Sequence, residues 1–185
     1  MSKRVVLLFG VEHAAFARRC AQGANVVGVV FERRSLQVRM NMLTTRLRRL
    51  GTWTVLGQLG HRVYRRLLRG CIRGSEETGK GTFPEALMVG DINGDEVVAF
   101  LRKHQPDAVA VYGTSLLRKP LLEALPKDNY NIHTGLTQYY RGVCSSFWAL
   151  YEDHPERLGV TIHRLSPGID TGEIVLMAQP PGNMV

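Results

Sequence analysis

The chain has 185 residues, 44% of them hydrophobic and 22% charged, with a net charge of +8. That length allows one domain with a proper core, and no apolar run approaches transmembrane length. The three cysteines, Cys20, Cys71 and Cys144, are far apart and odd in number, so they make neither a disulfide framework nor a metal spacing, and a reducing cytoplasm is expected.

The positive charge is unevenly placed. Residues 33 to 75 hold eleven arginines and no Asp, Glu or Lys, which leaves the rest of the chain at −3. The sequence therefore predicts a basic helical insert at about 33–75 within a single, mildly acidic domain spanning 1–185.

Lys3 and Arg4 precede an apolar run from Val5 to Val11 that Glu12 interrupts. This is too short for a signal peptide and reads as a buried parallel strand over 5–9. Gly10 turns the chain into a helix over 14–21, and a second strand follows over 25–31. A strand–helix–strand start favours a parallel sheet with helices on both faces. The turn from Phe9 to His13 lacks the spaced glycines of a dinucleotide site.

Over 33–73 the apolar residues take helical intervals: Leu36, Met40, Leu43, Leu47 and Leu50, then Val63, Leu67 and Cys71. Gly51 and Gly60 are expected to break this run, and 70–81 reads as a polar loop. A short strand is predicted at 86–89. Asn93 is the expected N-cap of a helix to His104, with Asp95 and Glu96 in its first turn. A strand at 108–112, a short helix opened by Pro120 and a strand at 129–133 come next. A helix at 145–152 and strands at 160–165 and 174–178 complete the series.

The chemistry sits on the strand at 129–133. Side chains alternate along a strand, so Asn131 and His133 share a face while Ile132 turns inward. An amide donor beside an imidazole, with Asp170 in a turn between Gly168 and Gly172, suits two tasks. It can stabilise charge developing on a carbonyl oxygen, and it can manage the proton of an attacking group. Among the other histidines, His13, His61, His104 and His154 are expected to be solvated, and His163, on the strand face of Thr161, to be structural. The spacing of Cys144, His163, His133 and Asp170 matches no common zinc pattern, so no metal is expected.

Taken in order, four segments resemble the folate-dependent formyltransferases. They are Asn131 with His133, then Tyr140, Arg141 and Gly142, then the strand from Gly159 to His163, and last Asp170 with Gly172. That family includes glycinamide ribonucleotide, methionyl-tRNA and amino-sugar N-formyltransferases, and the resemblance covers roughly residues 90 to 178. It implies an α/β fold, a mostly parallel twisted sheet flanked by helices in a Rossmann-like domain. It implies 10-formyltetrahydrofolate as donor and a primary amine as acceptor. Asn131 and a protonated His133 would hold the oxyanion, and Asp170 would stabilise that charged His133 and assist proton transfer. Tyr140, Arg141, Gly142, Gly168 and Ile169 would line the folate side. Cys144 and Ser145 are not needed as nucleophiles, since the family transfers formyl directly.

Thr134 to Leu136 and Phe147 to Tyr151 resemble the amino-sugar or uncharacterised branches, so a small-molecule amine is the expected acceptor. Methionyl-tRNA, glycinamide ribonucleotide, a formyltetrahydrofolate hydrolase and a non-catalytic interaction module are the alternatives. The arginine-rich segment is expected to be a solvated helix face, ahead of a tRNA contact or an anionic membrane contact. Family domains usually continue past the last strand, so the chain reads as truncated at its C-terminus.

Overall fold

Alternation in the first strand sets the architecture. In the computed structural model, β1 (Val5–Gly10) sends Val6 and Leu8 to one face of the sheet and Leu7 and Phe9 to the other, and all four are buried. A strand that is apolar on both faces must be covered on both, which is the parallel-sheet arrangement. The structure describes residues 2–33, 44, 47–48, 51–53, 56–57, 60, 83–142 and 144–180.

After β1 come α1 (Ala14–Gly23), β2 (Val26–Glu32), β3 (Ala86–Val89), α2 (Asp95–His104) and β4 (Ala108–Tyr112). Then follow α3 (Lys119–Ala124), β5 (Asp128–His133), α4 (Ser145–Tyr151), β6 (Val160–Arg164) and β7 (Ile174–Ala178). The chain divides into two compact units, residues 34–80 and the remainder.

The strands form one sheet in the order β3-β2-β1-β4-β5-β6-β7. Pairing is parallel from β3 to β5 and antiparallel for β5–β6 and β6–β7. The mostly parallel sheet flanked by helices agrees with the sequence expectation. On one face, Val6, Leu8, Val30 and Val109 pack with Val97, Phe100 and Leu101 of α2 and Leu121 of α3. On the other, Leu7, Phe9, Val29 and Phe31 pack with Ala17 of α1. Gly28 lets α2 lie close, since a Cβ there would come within 2.7 Å of the Phe100 ring.

Strand order reverses between β1 and β4, and open α/β sheets bind ligands beyond the carboxyl ends of their strands at such a point. The loops after β1 and β4 meet there. A Cβ on Gly10 would lie 2.7 Å from the Gly113 carbonyl oxygen, so the approach needs glycine. Glu32, buried at the end of β2, accepts the Ile92 N–H at 3.2 Å and the Ser115 N–H at 2.6 Å, pinning two loops at this edge.

Two local expectations are corrected. Asn93 does not cap α2; Gly94 stands at the N-cap with no side-chain bond. The Asn93 amide instead accepts Arg118 N–H at 2.6 Å and donates to the Leu116 carbonyl at 3.1 Å, because the loop after β4 offers partners that a local reading cannot see. His104 is not solvated. Its ring lies 4.3 Å from that of Phe100 and its Nε2 is 3.3 Å from Glu85, because the last turn of α2 lies against the side-chain-free Gly28.

Among the described residues of 34–80, Thr44, Leu47, Arg48, Thr52, Trp53, Leu56, Gly57 and Gly60 are helical. Gly51 breaks the run as expected, with φ +77 and its N–H on the Leu47 carbonyl at 3.1 Å, a glycine-favoured helix end. Gly60 does not break it, being helical itself. The polar loop at 70–81, His61 and most of the arginine-rich segment lie outside the described residues.

Candidate active site

Antiparallel pairing of β5 with β6 sets Asn131 opposite His163 and His133 opposite Thr161. Directly opposed residues share a face, so the amide and two imidazoles stand together. Asn131 Nδ2 lies 3.1 Å from His163 Nε2. The sequence assigns His163 a structural place, and the structure puts its ring in the site. The alternation of Thr161 and His163 carries part of this signal. The rest depends on strand register, which no single strand reveals.

Asp170 comes from the loop between β6 and β7. Its φ of 50 is in the left-handed region, where a short polar residue is tolerated. Gly172 makes the loop possible, because any Cβ there would overlap the Arg164 carbonyl. Folded back in this way, the Asp170 carboxylate sits between both imidazoles. Oδ1 accepts from Asn131 Nδ2 at 3.2 Å and lies 3.4 Å from His163 Nε2. Oδ2 accepts the Gly142 N–H at 2.8 Å and lies 3.3 Å from His133 Nδ1. The structure thus brings Asn131, His133 and Asp170 together as the sequence anticipates.

Their charges differ from expectation. Burial pushes the His133 pKa below its ordinary value; Asp170 opposes this and His163 adds to it. His163 is raised, first by its hydrogen bond to Asp170, against burial, with help from the Arg164 carbonyl 2.8 Å from Nδ1. Burial pushes Asp170 up, but the His163 bond, the Gly142 N–H and the two imidazole charges outweigh it and hold the carboxyl below its usual range. The carboxylate therefore favours charge on His163, and the expectation of a protonated His133 is corrected. The cause is competition: the same carboxylate serves both rings, and the burial cost prevails only at His133.

A cavity of about 600 Å³ opens at the carboxyl ends of β4 and β5. Tyr112 to Leu117 form one wall, the turn from Gly168 to Thr171 another, and Asn131, His133 and His163 lie between them. Of the residues expected on the folate side, Gly142, Gly168 and Ile169 line it. Tyr140 and Arg141 do not. The Tyr140 hydroxyl donates to Glu152 at 2.6 Å and Arg141 Nε to the Thr137 carbonyl at 3.2 Å. Gly142, at φ +80, turns the chain so that its own N–H meets Asp170 while those side chains bond elsewhere. His13, expected to be solvated, lines the cavity with its ring 4.3 Å from that of Tyr112. Among the described residues, no group of His, Cys, Asp and Glu has a metal-holding arrangement.

A family model described as formyl transferase matches residues 88–181. The methionyl-tRNA formyltransferase of Fervidobacterium nodosum is 41% identical over 85 residues, which is 44% of this chain and 26% of that protein. The corresponding enzyme of Chloroflexus aggregans is 44% identical over 85 residues, covering 45% and 27%. The match thus spans about a quarter of these curated relatives. Among solved structures, glycinamide ribonucleotide transformylase 1 from Symbiobacterium toebii aligns with a TM-score of 0.59 at 21% identity, over 96% of this chain and 72% of that one. A 4-N formyltransferase from Francisella tularensis aligns at 0.52 with 15% identity, over 98% and 57%. At these identities the structural likeness shows the fold alone.

Proposed function

The chain belongs to the formyl transferase family, and from that premise we propose that it moves a formyl group from 10-formyltetrahydrofolate to a primary amine. One observation carries this reading: Asn131, His133, His163 and Asp170 converge within 3.1 to 3.4 Å at the cavity floor. As the amine attacks the formyl carbon, negative charge develops on the carbonyl oxygen. Asn131 Nδ2 has two hydrogens. When His163 is charged, its Nε2 donates to Asp170 and no longer accepts from Asn131, which frees one amide hydrogen for the oxyanion. Asp170, held ionised by its hydrogen bonds, stands ready to take the amine's proton, directly or through water, and to pass it to the donor's nitrogen as the bond from that nitrogen to the formyl carbon breaks and tetrahydrofolate leaves.

The cavity also fits the donor. Its volume of about 600 Å³ falls in the range of roughly 300–1,000 Å³ common to small-molecule sites. Val111, Leu116, Leu117, Leu165 and Ile169 offer apolar walls for a flat ring. The donor supplies the electrophilic formyl carbon; the chain's residues orient it and handle charge and proton.

A small-molecule amine such as an amino sugar is the acceptor we favour, on the resemblance of residues 134–136 and 147–151 to the amino-sugar branch. Methionyl-tRNA is the second reading. It draws on the methionyl-tRNA formyltransferases among the relatives and on the eleven arginines of 33–75, a segment suited to a polyanion.

Calorimetric titration with a stable 5-formyl folate, followed by formyl-transfer assays on a panel of amines and on methionyl-tRNA, tests the proposal. Binding is expected, with turnover lowered about a hundredfold to a thousandfold in Asn131→Ala and at least as far in Asp170→Asn. A folded sample that binds no folate sinks it.

A further inference from the structure

Both ring nitrogens of His133 have partners, and only one of those partners lines the cavity. Nδ1 faces Asp170 Oδ2 at 3.3 Å, and Nε2 lies 3.0 Å from Ser145 Oγ. Ser145 opens α4, is 2% exposed, and does not line the cavity. Its hydroxyl is thus placed behind the imidazole. Serine, histidine and aspartate stand in the order of a nucleophilic triad, but Oγ is buried and does not face the cavity where a substrate carbon would lie.

A second observation concerns what Oγ touches next. It lies 3.4 Å from the Gly142 carbonyl, while the Gly142 N–H donates to Asp170 Oδ2 at 2.8 Å. The Gly142 residue, Asp170, His133 and Ser145 therefore close a ring of polar contacts, in which His133 meets Asp170 as an ion pair and the other three links are hydrogen bonds. Space for the ring depends on Gly135, where a Cβ would overlap Ser145 Cβ and come 3.0 Å from His133 Nε2.

We propose that Ser145 is a positioning residue whose hydroxyl keeps the proton of the neutral His133 ring on Nδ1, the nitrogen that faces Asp170, and follows the ring when it takes up a second proton. This rests on the formyl-transfer reading of the site. A hydroxyl donates, accepts and rotates. With His133 neutral, Oγ–H donates to Nε2, so the ring proton must sit on Nδ1 and point at Asp170. With His133 charged, Nε2–H donates to Oγ, and the hydroxyl hydrogen swings to the Gly142 carbonyl. Both states leave the buried polar groups paired, so the imidazole changes protonation without losing its orientation. Alanine at 145 removes both partners at once.

Nitrogen-15 NMR of the His133 ring in the unmodified protein tests this without turnover. The expected neutral form has a protonated Nδ1 and a bare Nε2; the opposite tautomer overturns the proposal. In Ser145→Ala the tautomers should mix, and kcat should fall about tenfold, the size of one lost supporting hydrogen bond, with KM values for amine and folate nearly unchanged. Ser145→Thr, which keeps the hydroxyl, should recover much of kcat if the added methyl is accommodated. An undiminished kcat in a folded Ser145→Ala protein also overturns the proposal. The correct tautomer in a protein that formylates no amine sinks the functional reading and leaves the role of Ser145 standing; transfer by a protein with the wrong tautomer sinks this inference alone.

Discussion

The two ends of the sheet follow different rules. β1 and β2 are buried along nearly their whole length, whereas β7 is exposed at all five positions. The candidate site stands between them, where parallel pairing gives way to antiparallel. The apolar half holds a rigid platform. The reversal at β6 then lets two neighbouring strands set side chains directly opposite each other, as Asn131 and His163 are. A parallel neighbour would require a crossover helix and would place the loop that carries Asp170 elsewhere. Stability and chemistry are thus divided along one sheet.

The sharpest way to break that comparison is a pair of leucines. Leu8 is fully buried in β1 and Leu176 is 54% exposed in β7. Leu8→Ala should cost about 2–5 kcal/mol of unfolding free energy, the range for a core truncation. Leu176→Ala should stay within about 0.5 kcal/mol. Denaturant melts of both variants provide the check, and equal losses would show that β7 is as buried in solution as β1.

The same division governs what can be read from the chain alone. β1, β2 and β4 are legible because an apolar strand between turn residues leaves few choices. Asn131, His133 and Asp170 are legible because their types, order and spacing match a family pattern. His163 is not, since its place depends on which residue it faces across a strand pair. Nor are the bonds that turn Tyr140 and Arg141 away from the cavity, or those that tie Asn93 to the loop after β4, because their partners lie elsewhere in the fold. The charge assignment fails for a related reason. A carboxylate near one histidine predicts a charged ring, but two rings compete for Asp170, and their unequal surroundings divide the effect.

Glycines sharpen the contrast at a smaller scale. Gly172→Ala forces a methyl into the Arg164 carbonyl, so the loop must shift. We expect a stability loss of about 1–3 kcal/mol and a larger proportional loss of the proposed formyl transfer, because Asp170 moves with the loop. Gly23 ends α1, and a methyl group added there would meet nothing within 4 Å, so Gly23→Ala should be neutral or slightly stabilising. Circular dichroism melts and initial rates on both proteins compare them. Full activity in Gly172→Ala would mean that the loop tolerates a different path.

The smallest effect is the pH dependence of stability, and it separates the two imidazoles. His163 has a folded pKa raised from 6.5, so its contribution is complete below that value and fades as pH rises through the folded value. His133 has a folded pKa lowered from 6.5, so its contribution is present above that value and fades as pH falls through the folded one. The two slopes lie on opposite sides of 6.5, so their joint contribution in the intact protein should be greatest near that value. Asp170, lowered from 3.8, acts only in more acid solution, where its contribution is lost as pH falls through its folded value. Replacing one ring should expose the other. His133→Gln should lose stability only as pH rises above 6.5, and His163→Gln only as pH falls below it. Melting temperatures across that range provide the measurement. Slopes of the same sign in both variants would mean that Asp170 does not divide its effect between the rings, and the oxyanion role of Asn131 would then lose its dependence on a charged His163.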